Sequence, residues 1–284
     1  MNNDKRTAVA SSRKRRWHYS HGNVLTFVSL CILAVIMLYP FLPMVSASLR
    51  SMQQYETGIG YSLKSWIFVL HNLPLPRELM NSTIVALGAI FLIIALSSTA
   101  GYAFGKLPFR TSHIFFVAIV ASMMIPVLSM IIPEYVNISR IGLINQYPGA
   151  ILVYAALGSP FATFLMTTYF RGIPDELLEA AVIDGLSYVK IFFRIMLPLG
   201  IPAIVTIIIL QFITVWNDLL VGLLFLQNPA VRTVTVGIAT LESVHVLNVP
   251  VLMAASLLSA LPPIVVFLVF RRYLIAGLTM GMGK

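Results

Sequence analysis

The hydrophobic positions of the chain fall into six long runs separated by shorter polar segments. Each run has close to or more than the roughly 20 helical residues that a bilayer core requires. The pattern therefore predicts an all-α polytopic membrane protein with six transmembrane helices. The predicted spans cover residues 24–43, 84–104, 114–132, 148–170, 201–226 and 247–270.

The first run follows a basic cluster at residues 13–16, as the apolar core of a signal peptide would. A signal core has only about 7 to 15 apolar residues. This run carries no charge from Val24 to Pro43 and is followed by five runs of similar length. We interpret it as a retained helix.

Prolines interrupt several of the predicted spans, among them Pro126 in the third, Pro160 in the fourth and Pro202 at the start of the fifth. A proline donates no backbone hydrogen bond and kinks a helix. In lipid the freed carbonyl must find a partner in protein or cavity water. These helices are expected to face other helices or a pathway, and simple packing kinks are the alternative.

The composition excludes an ordinary soluble domain, because 58% of the residues are hydrophobic and 10% are charged, against about 25% charged in soluble proteins. The net charge of +9 would suggest a nucleic-acid partner in a soluble protein. If both termini are cytoplasmic, 14 of the 19 lysines and arginines lie on the inner side, as the positive-inside rule expects. The charge therefore indicates topology, and no nucleic acid is expected.

This topology predicts a multi-pass protein of the cytoplasmic membrane in three parts. They are a basic cytoplasmic tail at residues 1–23, a transmembrane domain at 24–275 and a cytoplasmic C-terminal tail at 276–284. The single cysteine, Cys31, allows no internal disulfide. The five histidines are scattered and none joins a carboxylate at a metal-binding spacing, so no metal site is expected.

Four of the ten acidic residues gather in the predicted cytoplasmic segment 171–200, at positions 175, 176, 179 and 184. Pro174 suits the first position of a short helix there, and Gly185 suits the left-handed residue after its last turn. Ser187 is expected to cap a second helix that ends at Pro198, whose ring blocks continuation. The two helices would form a hairpin that projects from the membrane.

The first of these helices has an apolar face, formed by Leu177, Leu178, Ala181 and Val182 and flanked by Glu176 and Glu179. Such a surface suits insertion into a groove on a partner protein. On a basic cytoplasmic face, the acids would select and orient basic residues of that partner. The alternative is an amphipathic helix lying on the lipid surface, but such helices usually carry Lys and Arg on their polar face.

Within this hairpin the sequence reads EAA, three residues, G, nine residues, I, one residue, LP. The residues of the motif are Glu179, Ala180, Ala181, Gly185, Ile195, Leu197 and Pro198. Here the chain resembles the inner-membrane permease subunits of binding-protein-dependent ABC importers, whose signature in this loop has the same residues at the same spacing.

Further segments resemble the carbohydrate-uptake branch of that family and its MalG-like subunits. They are Asn81-Ser82, FRGIPDELLEAA from Phe170, WNDLLVGLLFLQNP from Trp216, RTVTVG from Arg232 and the ending RRYLIAGLTMGMGK. The resemblance covers roughly residues 80 to 284. The tail departs from the GLTAG-like run common in such subunits, because Met280 follows Thr279.

The resemblance implies the MetI-like fold of type I ABC importer permeases. It also implies a second permease subunit, either a different chain or a second copy, two ATPase subunits and an external solute-binding protein. The coupling loop, with Glu176 and Asp184 beside the motif residues, would dock in a cleft of one ATPase. The tail residues Gly277, Leu278, Thr279 and Lys284 would reach the ATPase dimer interface. Closure of that dimer on ATP would then turn the pathway outward.

ATP and Mg²⁺ are expected in the partner ATPases, with no cofactor on this chain. The segment GYAFGK at 101–106 has three residues between its glycines where a phosphate-binding loop has four, and a leucine follows its lysine.

Asp218 is the only acid inside a predicted span, and ionised groups there should face protein or water. With Gln211, Trp216 and Asn217 it would line a solute route, since aromatic and hydrogen-bonding groups suit sugar hydroxyls. Alternatively it caps or pairs with a neighbouring helix. In relatives of the maltose type, the resemblance implies that the partner permease makes most solute contacts.

A secondary transporter that acts without an ATPase is the alternative function. It would need buried ionisable pairs near the midplane and an internal repeat, whereas this chain offers one acid in a span and no evident repeat. An intramembrane serine protease is weaker still, because Ser159 and His245 lie at unmatched depths.

Overall fold

The computed structural model describes residues 21–244 and 248–280, and the side chains of 24–241 and 248–272. All of its regular elements in these ranges are helical. The chain divides into two compact units, residues 1–46 and 47–284. In the first unit, helix α1 (His21–Leu38) is followed by a turn and by α2 (Phe41–Ser48), which runs into the second unit.

The second unit contains the remaining helices. They are α3 (Met52–Thr57), α4 (Lys64–Asn72), α5 (Leu75–Lys106), α6 (Ser112–Ser122), α7 (Val127–Arg140), α8 (Tyr147–Arg171), α9 (Glu176–Ile183), α10 (Tyr188–Ile191), a π-helical turn (Phe192–Met196), α11 (Leu197–Leu199), α12 (Ile201–Asn217), α13 (Leu220–Phe225), α14 (Val234–Val244) and α15 (Val249–Met280).

Four helical segments are long and apolar enough to cross a membrane. They are Val24–Ser48, Leu75–Lys106, Tyr147–Arg171 and Val249–Arg272. Two bent pairs would raise the number of spans to six: α6 with α7, bent by 101°, and Tyr188–Leu199 with α12, bent by 68°. The prediction of an all-helical polytopic membrane protein is confirmed for the described residues.

Several helix ends differ from the predicted spans. The third predicted span is broken, because Pro126 ends a turn and precedes α7 with an extended backbone. The fifth is not one helix to residue 226, because α12 ends at Asn217 and Asp218 is extended. Helix α5 begins at Leu75, inside a segment predicted as loop. Helix α15 continues to Met280, into the predicted tail.

Helices α5 and α8 pack closely along the centre of the second unit, because small residues of α5 face α8. A Cβ atom on Gly101 would lie 2.5 Å from the Cβ of Met166, and one on Gly88 would lie 2.6 Å from Ile151 Cδ1. Two hydrophobic clusters fill the unit. One joins α5, α8, α12, α13 and α15. The other, which we call the inner hydrophobic cluster, joins α5, α8 and α12 to the segment containing the acidic hairpin.

Candidate functional site

The acidic hairpin begins with α9, and the structure shows how the chain turns at its end. Gly185 has φ of 78°, so the left-handed conformation predicted from the sequence is confirmed. The Leu186 N–H donates to the Ala181 carbonyl at 3.0 Å and the Gly185 N–H to the Val182 carbonyl at 2.9 Å. This pair of bonds is the Schellman arrangement, which satisfies the free carbonyls of a helix end.

Half of the predicted apolar face of α9 is turned toward the protein itself. Leu178 and Ala181 are buried, Ala181 with 4% exposure, and both belong to the inner hydrophobic cluster. Residues three apart share a helix face, so these two define the inward side. Leu177 and Val182, the other two residues of the predicted face, are 46% and 44% exposed, so half of that face lies at the surface of the chain and its docking role stays a prediction. The buried Ala181 lets α9 lie close to its own bundle.

The outward side of α9 carries the predicted acids and small residues. Glu176, Glu179 and Ala180 are exposed, and Ile183 is 86% exposed. Asp184 and Gly185 are exposed beyond the last turn. The structure thus brings an acidic and apolar strip, formed by Glu176, Glu179, Ala180 and Ile183, to the surface of the chain, next to the exposed Leu177 and Val182 of the predicted face.

The second helix of the hairpin is capped by Ser187, as predicted: its Oγ accepts a hydrogen bond from the Lys190 N–H at 3.4 Å. The predicted end at Pro198 is wrong, because the helical backbone continues to Leu199. The π-helical turn before the proline, in which the Leu197 N–H reaches the Phe192 carbonyl, widens the backbone and accommodates a residue that an α-helix excludes.

The last three motif residues lie on this second segment. Ile195 and Leu197 are half-buried and pack against the inner hydrophobic cluster, whereas Pro198 is exposed. Ile195 and Leu197 thereby hold the hairpin on the bundle, while the surface strip of α9 remains accessible.

The C-terminal end of α5 anchors the hairpin, a contact that the sequence alone did not predict. Lys106 Nζ donates to the Ile173 carbonyl and to the Asp175 carboxylate, and its side chain is only 3% exposed. Tyr102 donates its hydroxyl hydrogen to the Tyr188 carbonyl at 3.2 Å. Asp175 is therefore engaged within the chain. In the sequence Lys106 was counted among the basic residues of the expected inner side and was the lysine of segment 101–106, which does not fit a phosphate-binding loop.

Arg171 adds a third contact beside the hairpin. Its Nη2 donates to the Phe104 carbonyl at 3.3 Å, and its guanidinium lies 4.7 Å from the centre of the Phe116 ring. A cation over an aromatic face is attracted by the ring quadrupole. The end of α8 is thus fixed to both α5 and α6.

The four candidate pathway residues do not form one surface. The Asp218 carboxylate accepts hydrogen bonds from the Tyr154 hydroxyl at 3.0 Å and the Val221 N–H at 2.8 Å. Asp218 thus caps the start of α13 through Val221 and links to α8 through Tyr154. Its role in a solute route stays a prediction.

The other three candidates differ in exposure. The Trp216 indole is buried and donates to the Ser259 carbonyl at 3.0 Å, and Gln211 is buried beside Gly158. Asn217 is exposed, and its amide donates to the Ile213 carbonyl at 2.9 Å.

A polar network at the opposite end of α5 was likewise not predicted from the sequence. Glu78 lies in the first turn of α5, and its Oε1 is 2.6 Å from Nε of Arg232. Asn81 Nδ2 donates to the Arg232 carbonyl at 2.9 Å, and Ser82 Oγ accepts from the Val234 N–H at 2.9 Å. These bonds fix the segment 226–234, which we call the outer loop, to α5.

Two acids lie in helices of the candidate spans although they fall outside the predicted ones, Glu78 in α5 and Glu134 in α7, whereas Asp218 follows the end of α12. Among the described residues no group of three or more His, Cys, Asp and Glu side chains is placed to hold a metal. Gly277, Leu278 and Thr279 continue α15 as helix, and Lys284 lies outside the described residues.

Comparison with known proteins accounts for the motif and the fold together. Residues 93–279 match the family of binding-protein-dependent transport system inner membrane components. The chain is 31% identical over 272 residues to the trehalose/maltose transport system permease protein MalG of Thermococcus litoralis, covering 92% of this chain and 96% of the relative. It is 32% identical over 266 residues to the arabinooligosaccharides transport system permease protein AraQ of Halalkalibacterium halodurans, covering 90% and 95%.

A solved structure has the same fold. It belongs to a bacterial ABC transporter involved in the import of the acidic polysaccharide alginate, with a TM-score of 0.78 and 23% identity, covering 90% of this chain and 98% of that chain.

Proposed function

The chain belongs to the family of binding-protein-dependent transport system inner membrane components, and we propose that it is one of two permease subunits that form the pathway of an ATP-driven importer for a sugar or oligosaccharide. The choice of solute class is supported by the two relatives above, both named for carbohydrate transport and both matched over about nine tenths of this chain.

The partners follow from this assignment. They are a second permease subunit, two ATPase subunits that bind ATP and Mg²⁺, and an external solute-binding protein. This chain contributes no ATPase site and no cofactor of its own. Both termini lie in the cytoplasm, so the hairpin faces the ATPases and the outer loop faces the solute-binding protein. The helical residues Gly277, Leu278 and Thr279, with Lys284 beyond them, extend toward the ATPase dimer.

The observation that carries the proposal is the exposed strip of α9, a helix that is fixed to the bundle at both ends. Glu176, Glu179, Ala180 and Ile183 face away from the bundle. The Schellman bonds and Lys106 fix the two ends of the helix. A helix held at both ends transmits a displacement of its partner as a rigid body. The acids select basic residues of an ATPase cleft.

Charge reversal on this strip tests the proposal. Glu179→Lys should leave insertion intact and uncouple ATP hydrolysis from uptake, because it places a cation against the basic groups of the cleft. The matched control is Glu56→Lys, which reverses an exposed glutamate on α3. Normal solute uptake by the Glu179→Lys importer in proteoliposomes would contradict the assignment.

Cysteine crosslinking supplies an independent test of the geometry. Ala180→Cys should capture an ATPase subunit in native membranes, because Ala180 is exposed. Ala181→Cys, one residue along, should not, because that side chain is buried. Equal capture by both variants, or by neither, would show that the strip is not the docking surface.

A further inference from the structure

The last turn of α5 holds the hairpin on both sides of α9. Before α9, Lys106 binds Ile173 and Asp175, and after it Tyr102 binds Tyr188. A buried ammonium is costly unless it is paired. Because the Lys106 side chain is almost fully buried, it is stable only while its carbonyl and carboxylate partners stay in place. The end of α5 therefore fixes where α9 begins.

The first turns of α5 hold the outer loop in a comparable way. Glu78 pairs with Arg232, Asn81 donates to the Arg232 carbonyl and Ser82 accepts from the Val234 N–H. The Asn81 Oδ1 also accepts from the Tyr147 hydroxyl at 2.6 Å, which ties the same point to the start of α8. The outer loop is therefore attached to the first turns of α5 and would move with them.

Between these two attachments α5 is one uninterrupted helix of 32 residues. At 1.5 Å per residue, Glu78 and Lys106 are about 42 Å apart along its axis, which matches the 40–45 Å of a bilayer with its headgroups. Its proline lies in the first turn, so no kink interrupts the membrane part. Close packing of Gly101 on Met166 opposes bending against α8.

We propose that α5 is a connector that transmits docking of the solute-binding protein at the outer loop to α9, with Lys106 as the positioning residue at the inner end. The inference rests on the proposed function, because it needs both an external and an ATPase partner. Lys106 itself touches neither partner. It sets the orientation in which α9 meets the ATPase, so its loss weakens the coupling between the two docking events.

The test measures how strongly solute-loaded binding protein stimulates ATP hydrolysis by the complete importer in proteoliposomes. Lys106→Met should lower the ratio of stimulated to unstimulated rate about fivefold or more, in the range typical of coupling between sites. Lys106→Arg keeps the charge and the donors and should restore the ratio. Arg110→Met, which changes an exposed cation in the loop after α5, is the matched control.

The outer attachment should give the same defect. Asn81→Ala removes the amide that binds the outer loop, and it should lower the same ratio. If one helix connects the two sites, the double variant loses no more stimulation than the more affected single variant. Asp175→Ala removes the carboxylate that pairs with Lys106. Because the Asp175 side chain is exposed, this variant tests the contact even where Lys106→Met folds poorly.

Three results would overturn the connector. They are wild-type stimulation in both Lys106→Met and Asp175→Ala, a double variant whose loss is the product of the single losses, and absence of the ATPase from the Lys106→Met complex. The last result would show that Lys106 is needed for the ATPase to bind at all, and not for the orientation in which it binds. A wild-type chain that purifies without any ATPase would instead contradict the proposed function, so the two failures are distinguishable.

Discussion

Removal of Arg232 should destabilise the outer end of the bundle strongly. The Glu78 side chain is 3% exposed and that of Arg232 is 19% exposed, and their charged atoms lie 2.6 Å apart. Arg232→Met leaves the Glu78 carboxylate buried without its counter-charge. It faces Gly237 so closely that a Cβ on that glycine would lie 2.1 Å from Oε2. The carboxylate therefore has little room to move to water.

Loss of one partner of a buried ion pair costs about 3–5 kcal/mol. The lower end applies here, because the incomplete burial of Arg232 shows that some water reaches the pair. A loss of about 3 kcal/mol corresponds to an apparent melting temperature roughly 6–12 °C lower for a chain of this size. Thermal unfolding of the detergent-purified protein, followed by tryptophan fluorescence, measures the shift.

The matched variants separate charge burial from loss of packing. Glu78→Gln keeps an amide oxygen that accepts from Arg232 Nε, so it should cost only about 1 kcal/mol. The double variant Glu78→Gln with Arg232→Met buries no charge, and it should melt above Arg232→Met alone. Wild-type melting of Arg232→Met, or a double variant less stable than either single variant, would refute the account of a costly orphaned carboxylate.

Three further predictions concern other positions. Gly185→Val should cost about 1–2 kcal/mol from left-handed strain alone, since its Cβ meets nothing within 4 Å; faster limited proteolysis of the hairpin is expected, and an unchanged rate would contradict it. Gly101→Leu should force α5 away from Met166 and abolish the monodisperse peak in size-exclusion chromatography. A normal monodisperse peak would show that α8 moves aside instead. Asp218→Asn keeps an acceptor for Tyr154 and Val221, so it should lose about 1 kcal/mol and retain most uptake. Severe loss of uptake at normal protein level would favour a pathway role.

Features that depend on neighbouring residues could be predicted from the sequence. The length of the apolar runs decides that the chain crosses a membrane, because the bilayer fixes the required helix length. The left-handed Gly185 and the Ser187 cap follow from local backbone preferences, and both are present. The spacing of the motif from Glu179 to Pro198 identified the family that the comparison then showed.

Features that depend on contacts between distant parts of the chain required the tertiary structure. Lys106 meets Asp175 across 69 positions and Arg232 meets Glu78 across 154, and no local preference links such pairs. The same holds for α9, whose sequence shows an apolar stripe without indicating which side its own bundle covers. Local physics thus determined the helices and their caps, whereas long-range packing decided that Ala181 is hidden, that Glu179 and Ala180 are exposed, and that α5 contacts both the hairpin and the outer loop.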